Sequence, residues 1–342
     1  MMTHGPRKNS NYLMTLAATF LAVLTVAVLP WAACQAAPAA EGHFQRTLQV
    51  SGPVDLSVQT GSGGITVRTG SDSSVEVRGT IRASRGFLSN DDAEEKVTYL
   101  ESHPPIEQDG NVIKIGRVTD SRMQRNVSIS YELVVPANTQ VRSRTGSGSQ
   151  RVDGVSGPLE ASTGSGSIRA SNIGGSVQAT TGSGQIVMET VKEGVRASTG
   201  SGSIRATGIG GTVRASTGSG SITVEQTGVA DARVSTGSGN ITLKDVRGLV
   251  HASSASGSIT AEGGGQSPWH LKSVSGNVSV RVPQGLGFDL HAHTVSGSIS
   301  TSRPLTLQGT VNKREITGKA GNGGFLLDVS TVSGNINIDS RA

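Results

Sequence analysis

Short segments of the form Thr/Ser-x-Ser-Gly give this chain its most abundant potential chemistry. A hydroxyl set among glycines could act as a nucleophile, and glycine amides could cradle a phosphate. The segments begin at Thr60, Thr145, Thr163, Thr181, Thr199, Thr217, Thr236, Ser254, Ser273, Thr294 and Thr331. A catalytic nucleophile is singular, whereas this hydroxyl recurs along the chain, so the serines are expected at corners of the fold. No Gly-x-Ser-x-Gly elbow is present. There is no Gly-Lys-Ser/Thr phosphate loop and no Gly-x-Gly-x-x-Gly turn leading from a strand into a helix, so no nucleotide cofactor is expected. Calcium-binding β-rolls need an aspartate in each glycine-rich turn, where this sequence offers Ser, Thr or Asn. A polysaccharide-cleaving enzyme needs two carboxylates placed together. Asp153, Glu160, Glu189, Glu193, Glu225, Asp231 and Asp245 instead fall at scattered positions of the repeat. No catalytic residue and no cofactor site is assigned, and a polysaccharide-active β-helix enzyme stays a remote alternative.

The spacing of the segments shows what must hold them. From Thr145 to Thr217 they recur every 18 residues, and the later intervals of 19, 18, 19 and 21 leave room for loop insertions. Within one unit, Ser167-Ile168-Arg169-Ala170 and Ser176-Val177-Gln178-Ala179-Thr180 alternate in polarity and are separated by a glycine turn. That reads as strand, turn, strand, turn. Alternation sends Ile168, Ala170, Val177 and Ala179 inward and Arg169, Gln178 and Thr180 outward. Ile204, Ile209 and Val213 repeat the inward set, and Ile222, Ile241, Ile259, Val278, Ile299 and Ile336 continue one inward column. A two-strand unit cannot bury its apolar face alone, so coil must stack on coil at about 4.8 Å. The expected fold is all-β: a single-stranded β-helix, or β-solenoid, of about 18 residues per coil with one short helix.

The register exposes a column of chemistry that no local motif shows. The residue three before each Thr/Ser-x-Ser-Gly segment points outward, giving Arg142, Glu160, Gln178, Arg196, Arg214, Arg233, His251, His270 and His291. Stacked like charges cost stability and invite an anionic partner, which makes Arg142, Arg196, Arg214 and Arg233 the ligand-binding candidates. The plainer reading is a solvated face on which arginine stems shield the sheet. His291 and His293 share one strand face, with His270 expected one coil beneath and His251 beneath that. Imidazoles so placed could hold zinc, copper or nickel, but Lys272 beside them would repel a cation, so no metal site is assigned.

Glycine supplies 47 residues and aromatics only 3% of the chain, so the core must be thin and built from Ile, Val and Ala. Arg7 and Lys8, the apolar run Leu13 to Leu29 and the small residues from Ala32 to Ala40 have the layout of an export signal. Cleavage after Ala36 fits best and after Ala39 also fits. Ala32-Ala33-Cys34 resembles the end of a lipoprotein box, which makes Cys34 a lipidation candidate, and Tyr12 to Ala33 is long enough to remain as an anchor. Cys34 is the only cysteine, so no intramolecular disulfide can form. The domain reading is residues 1–36 as signal, 43–140 as first coils and capping segment, and 141–342 as regular solenoid. In the capping segment, Asp91 to Ser102 reads as the helix, with Ala93, Val97 and Leu100 on one face and Ser89 or Asn90 as caps. Strands follow at Asn111 to Ile115 and Val127 to Val135.

The repeated TGSGSI units, the TVSGSI and TVSGNI units, and the segments Val134 to Gly148 and Arg281 to Gly297 resemble the bacterial putative-adhesin family of β-strand-repeat proteins, a domain of unknown function. The resemblance covers nearly all of the chain after the signal. It implies a β-helix, an envelope or surface location and an adhesive or binding role, and supplies no catalytic residues. The Arg and His column stands where acidic residues are frequent in that family. With a formal net charge of +5, the expected partners are anionic envelope or surface polymers. No nucleic acid is expected, and membrane contact only through the N-terminal signal or lipid anchor. A rigid structural or sensory envelope scaffold is the alternative.

Overall fold

Each repeat folds as one coil of two strands. Leu159–Ser165 turns at Gly166 into Ile168–Ile173, and the next coil begins with Val177–Ser183. The two strands of a coil enter different sheets, so the structure is a computed structural model of two stacked parallel layers with the core between them. It describes residues 40–84, 93–116, 125–308 and 312–341, all within one unit, Pro38–Ala342. The export signal, Cys34 and the cap candidates Ser89 and Asn90 lie outside the described residues. Among the described residues no helix is long and apolar enough to cross a membrane.

Stacking follows the repeat register: Leu159 lies opposite Val177, Val177 opposite Val195 and Val195 opposite Val213, all in parallel pairing. Ile168, Ala170, Val177 and Ala179 are buried, and Gln178 and Thr180 are exposed. The core is therefore a set of single-residue columns, with Ile168, Ile186, Ile204 and Ile222 forming one. At about 25 cal/mol per Å² of buried apolar surface, each rung adds its own share to such a column. Gln150 breaks it, and the chain compensates: the Ser143 hydroxyl donates to Gln150 Oε1 at 2.6 Å, and the Gln150 amide donates to the Ser162 carbonyl at 2.5 Å.

The corners explain the Thr-Gly-Ser-Gly composition. The threonine is buried, and its hydroxyl donates to a glycine carbonyl one coil back: Thr163 to Gly148 at 3.2 Å, Thr181 to Gly166 at 3.0 Å and Thr217 to Gly202 at 2.9 Å. Gly166 has φ +146°, and a Cβ there would lie 2.1 Å from the Gly148 carbonyl oxygen. Only glycine fits that conformation and that approach together.

The order of coils departs from the sequence at both ends. Val54–Ser62 and Ile65–Thr69 form a coil that sits directly against Thr139–Ser147 and Gln150–Asp153, with Thr60 opposite Thr145. The intervening chain covers the far side of that coil, through Val112–Ile115 in one sheet and Val127–Val135 in the other. Ala40–Gln49 and Ser74–Ala83 extend the second edge by antiparallel pairing, and the helix Ala93–Ser102 buries Ala93, Val97 and Leu100 beside them. At the other end, Phe325–Ser333 inserts between Trp269–Ser275 and Phe288–Ser296. Val278, Ile336 and Ile299 therefore stack in that order, whereas the sequence suggested Val278, Ile299, Ile336. The antiparallel strand Glu315–Ala320 covers Phe288–Ser296 from outside. Both excursions hide an end coil's unpaired backbone, which would otherwise recruit another strand. The buried aromatics concentrate in these end regions: Phe44 and Tyr131 meet at 6.3 Å, and Phe325 lies 5.7 Å from Trp269 and 6.1 Å from Phe288.

The corner geometry predicts that Gly166→Ala lowers the urea midpoint by an amount equivalent to about 2 kcal/mol or more, because backbone must move. Ser165→Ala, on the exposed side of the same corner, stays within about 0.5 kcal/mol.

Candidate functional site

The outward face of the sheet containing Leu159–Ser165 carries the column that the repeat register picks out. Every member lies between two inward residues, as Arg196 does between buried Val195 and Ala197. Strand pairing gives the spatial order Ser57, Arg142, Glu160, Gln178, Arg196, Arg214, Arg233, His251, His270, Asp328, His291.

The column divides into three by charge environment. At its first end the charges are paired: Arg142 reaches Asp55 at 3.0 Å, and Glu160 accepts from Arg144 at 2.9 Å. Arg142 is thus a neutralised member of the proposed set. In the middle, Arg196, Arg214 and Arg233 are exposed on successive rungs, and among the described residues no carboxylate pairs with them. Ser198, Ser216 and Ser235 run alongside as a parallel row of hydroxyls, and the two rows line a shallow depression of about 390 Å³ that reaches His251. On the opposite sheet three arginines are paired, Arg169 with Glu189 at 3.3 Å, Arg281 with Glu262 at 2.6 Å and Arg341 with Asp245 at 2.6 Å, and Arg205 stands singly between Val187 and Thr223 on the neighbouring rungs.

The third part is the histidine end. His251 and His270 meet edge to face at 4.8 Å. His270 does not adjoin His291, because Asp328 stands between them: His270 Nδ1 lies 3.1 Å from Asp328 Oδ2 and His291 Nδ1 lies 3.2 Å from Asp328 Oδ1. His293 faces Ser330 on one side and Glu315 on the other, and Ser330 separates it from Lys272. Among the described residues no three His, Cys, Asp or Glu side chains are arranged to hold a metal ion. Asp328 escaped the sequence reading although it stands three residues before the Thr331 segment. The positional rule finds it once the last coil is placed inside the stack.

Burial lowers the His251 pKa below the ordinary imidazole value of 6.5, and the positive charges of His270 and Arg233 push it the same way, against Asp231. A recess of about 440 Å³ near the first corner, lined by Gln59, Tyr131 and Arg144 among others, has no carboxylate in its wall among the described residues. Among the same residues the buried Tyr131 hydroxyl beside it has no hydrogen-bond partner, and burial raises its pKa above the usual phenol range.

Two parallel sheets, a thin core of stacked single-residue columns and glycine corners define the class as a β-solenoid with one charged and one charge-balanced face. Residues 175–339 match the Toastrack DUF4097 family, a domain of unknown function, and this span contains the three arginines and the histidine end. Similar solved structures include a putative cell adhesion protein from Clostridium sporogenes ATCC 15579, at 10% identity over 88% of this chain and 100% of that one, TM-score 0.23. A putative adhesin from Bacteroides fragilis NCTC 9343 shows 10% identity over 88% and 97%, TM-score 0.26. A putative lipid binding protein from Parabacteroides distasonis ATCC 8503 shows 10% identity over 88% and 97%, TM-score 0.33. No curated protein sequence matches the chain.

The environment of His251 gives a signed prediction. Its NMR titration midpoint falls below 6.5 and rises when Arg233→Gln removes a neighbouring cation. A histidine whose folded pKa is depressed binds its proton more readily in the unfolded chain. Its contribution to stability is therefore complete above the unfolded value and is lost as the pH falls through it.

Proposed function

We propose that this protein is an exported, non-enzymatic binding module of the cell envelope that holds anionic polymers on the outward arginine face. One observation carries the reading: among the described residues Arg196, Arg214 and Arg233 stand on consecutive rungs, exposed and without carboxylate partners, whereas on the other sheet Arg169, Arg281 and Arg341 are paired and Arg205 stands singly between Val187 and Thr223. Strands stack at about 4.8 Å, so three guanidinium groups in one column repel one another. That cost is relieved when a polymer lays an anionic group against each rung. The serine row beside them supplies hydroxyls for polar contacts to the same ligand. Support for export comes from the N-terminal sequence, whose basic start and apolar run match a secretory signal. A binding role without turnover is supported by the scattered carboxylates and by the repetition of every hydroxyl along the stack.

The test is binding of the purified protein to immobilised dextran sulfate, with uncharged dextran as reference. Binding weakens as salt rises, since it exchanges condensed counterions for arginines. The triple variant Arg196→Gln, Arg214→Gln, Arg233→Gln loses at least about tenfold in affinity, corresponding to about 1.4 kcal/mol. Arg205→Gln on the opposite sheet leaves binding unchanged. Absence of binding to dextran sulfate, or equal losses from the two faces, overturns the reading and leaves a rigid envelope scaffold as its replacement.

A further inference from the structure

The histidine end of the column is continuous with the arginine rungs, since Arg233 lies opposite His251 on the next strand. Its charge, unlike theirs, depends on pH. With imidazoles neutral, His251, His270 and His291 carry nothing and Asp328 contributes one negative charge, so an anionic polymer leaving Arg233 meets a repelling segment. With all three imidazoles protonated the same four residues carry two positive charges. No backbone movement is required, because the side chains already touch in a row: His251 against His270, His270 on one oxygen of Asp328 and His291 on the other.

We infer that this segment is an acid-activated extension of the anion-binding track: a linear polyanion is held on the arginine rungs at neutral pH and is gripped through to His291 on acidification. This rests on the polymer-binding reading and adds to it a regulated length of contact. Histidine is the side chain whose ordinary titration spans this range. His251, partly desolvated and next to Arg233, takes its proton later than an isolated imidazole, and a polyanion laid across the rungs offsets the repulsion that delays it. Protonation and polymer binding therefore reinforce each other, as linkage requires.

The surroundings add fixed charges and leave the gain of three positive charges on acidification unchanged. Asp231, just before the Arg233 strand, acts on His251 as a counter-charge. Lys272 shares the His270 strand and points the same way, adding a permanent positive charge beside the track. On the outer side of His291, the covering strand places Thr317 opposite it and Glu315 opposite His293. Lys319 and Asp289 are paired with each other at 3.7 Å. Asp328 is thus the carboxylate directly between imidazoles, and it governs the neutral-pH repulsion.

Dextran sulfate is the appropriate probe, because its sulfate esters stay ionised throughout and any pH dependence belongs to the protein. The full chain is measured at about pH 7.5 and about pH 5.5. Affinity is expected to rise at least about tenfold at the lower pH, and the salt dependence to steepen by about two counterions, reporting a longer contact rather than a tighter one. The variant His251→Gln, His270→Gln, His291→Gln binds as the unaltered protein does at pH 7.5 and gains far less on acidification. Asp328→Asn, which keeps every histidine, binds more tightly at pH 7.5. A flat pH profile with arginine-dependent binding intact overturns this inference alone, as does an acid gain undiminished in the triple histidine variant. Loss of all binding at both pH values refutes the polymer-binding reading itself.

Discussion

Everything in this structure depends on the corner where one strand turns into the next sheet. Parallel strands can stack rung on rung only if every turn repeats the same path, because a turn that drifts breaks both ladders at once. Two features fix the path. The threonine hydroxyl ties its own coil to the glycine carbonyl one coil back, as Thr163 does to Gly148 and Thr181 to Gly166. The glycine after the corner serine leaves space for that carbonyl, which a side chain would occupy. The hydroxyls that look like chemistry in the sequence are consumed in holding coils together. Function is thereby displaced to the sheet faces, where alternate residues are free of structural duty.

The two faces use that freedom differently. One intersperses basic and acidic side chains and closes them into ion pairs, such as Arg169 with Glu189. The other pairs charges near its first end, then presents three arginines without carboxylate partners among the described residues and a run of imidazoles around Asp328. A solenoid is well suited to such a gradient, since each rung contributes one residue to the column and can be exchanged without disturbing its neighbours' packing. Charge along the face is therefore written one residue per coil, independently of the core.

The solenoid and its inward and outward residues were legible because period and alternation are local properties. Ile168, Ala170, Val177 and Ala179 had to share a side, and they do. The helix was equally plain from Ala93, Val97 and Leu100. What the linear reading missed was spatial order. The interval between the Thr294 and Thr331 segments is about twice the repeat length, which marks an excursion, but nothing local reveals that the later coil slips beneath the earlier one. Asp328 was lost for that reason, and with it the separation of His270 from His291. Pairing was similarly hidden: Arg142 stands in the column by register, but its carboxylate, Asp55, comes from a strand brought alongside by the N-terminal excursion.

The inserted last coil bears on how the chain can be made. A chain synthesised from its N-terminus can add rungs in order only through the strand Val278–Pro283. The next segment to emerge, Phe288–Ser296, belongs one place further out, and the strand that fills the vacancy is Phe325–Ser333. Until those last residues arrive, Trp269 and Phe288 lack the Phe325 ring that lies between them in the finished stack. The histidine end is likewise incomplete without Asp328. Completion of this end of the stack is thereby coupled to delivery of Phe325–Ser333, so a chain cut short before that strand presents an unfinished end to quality-control proteases.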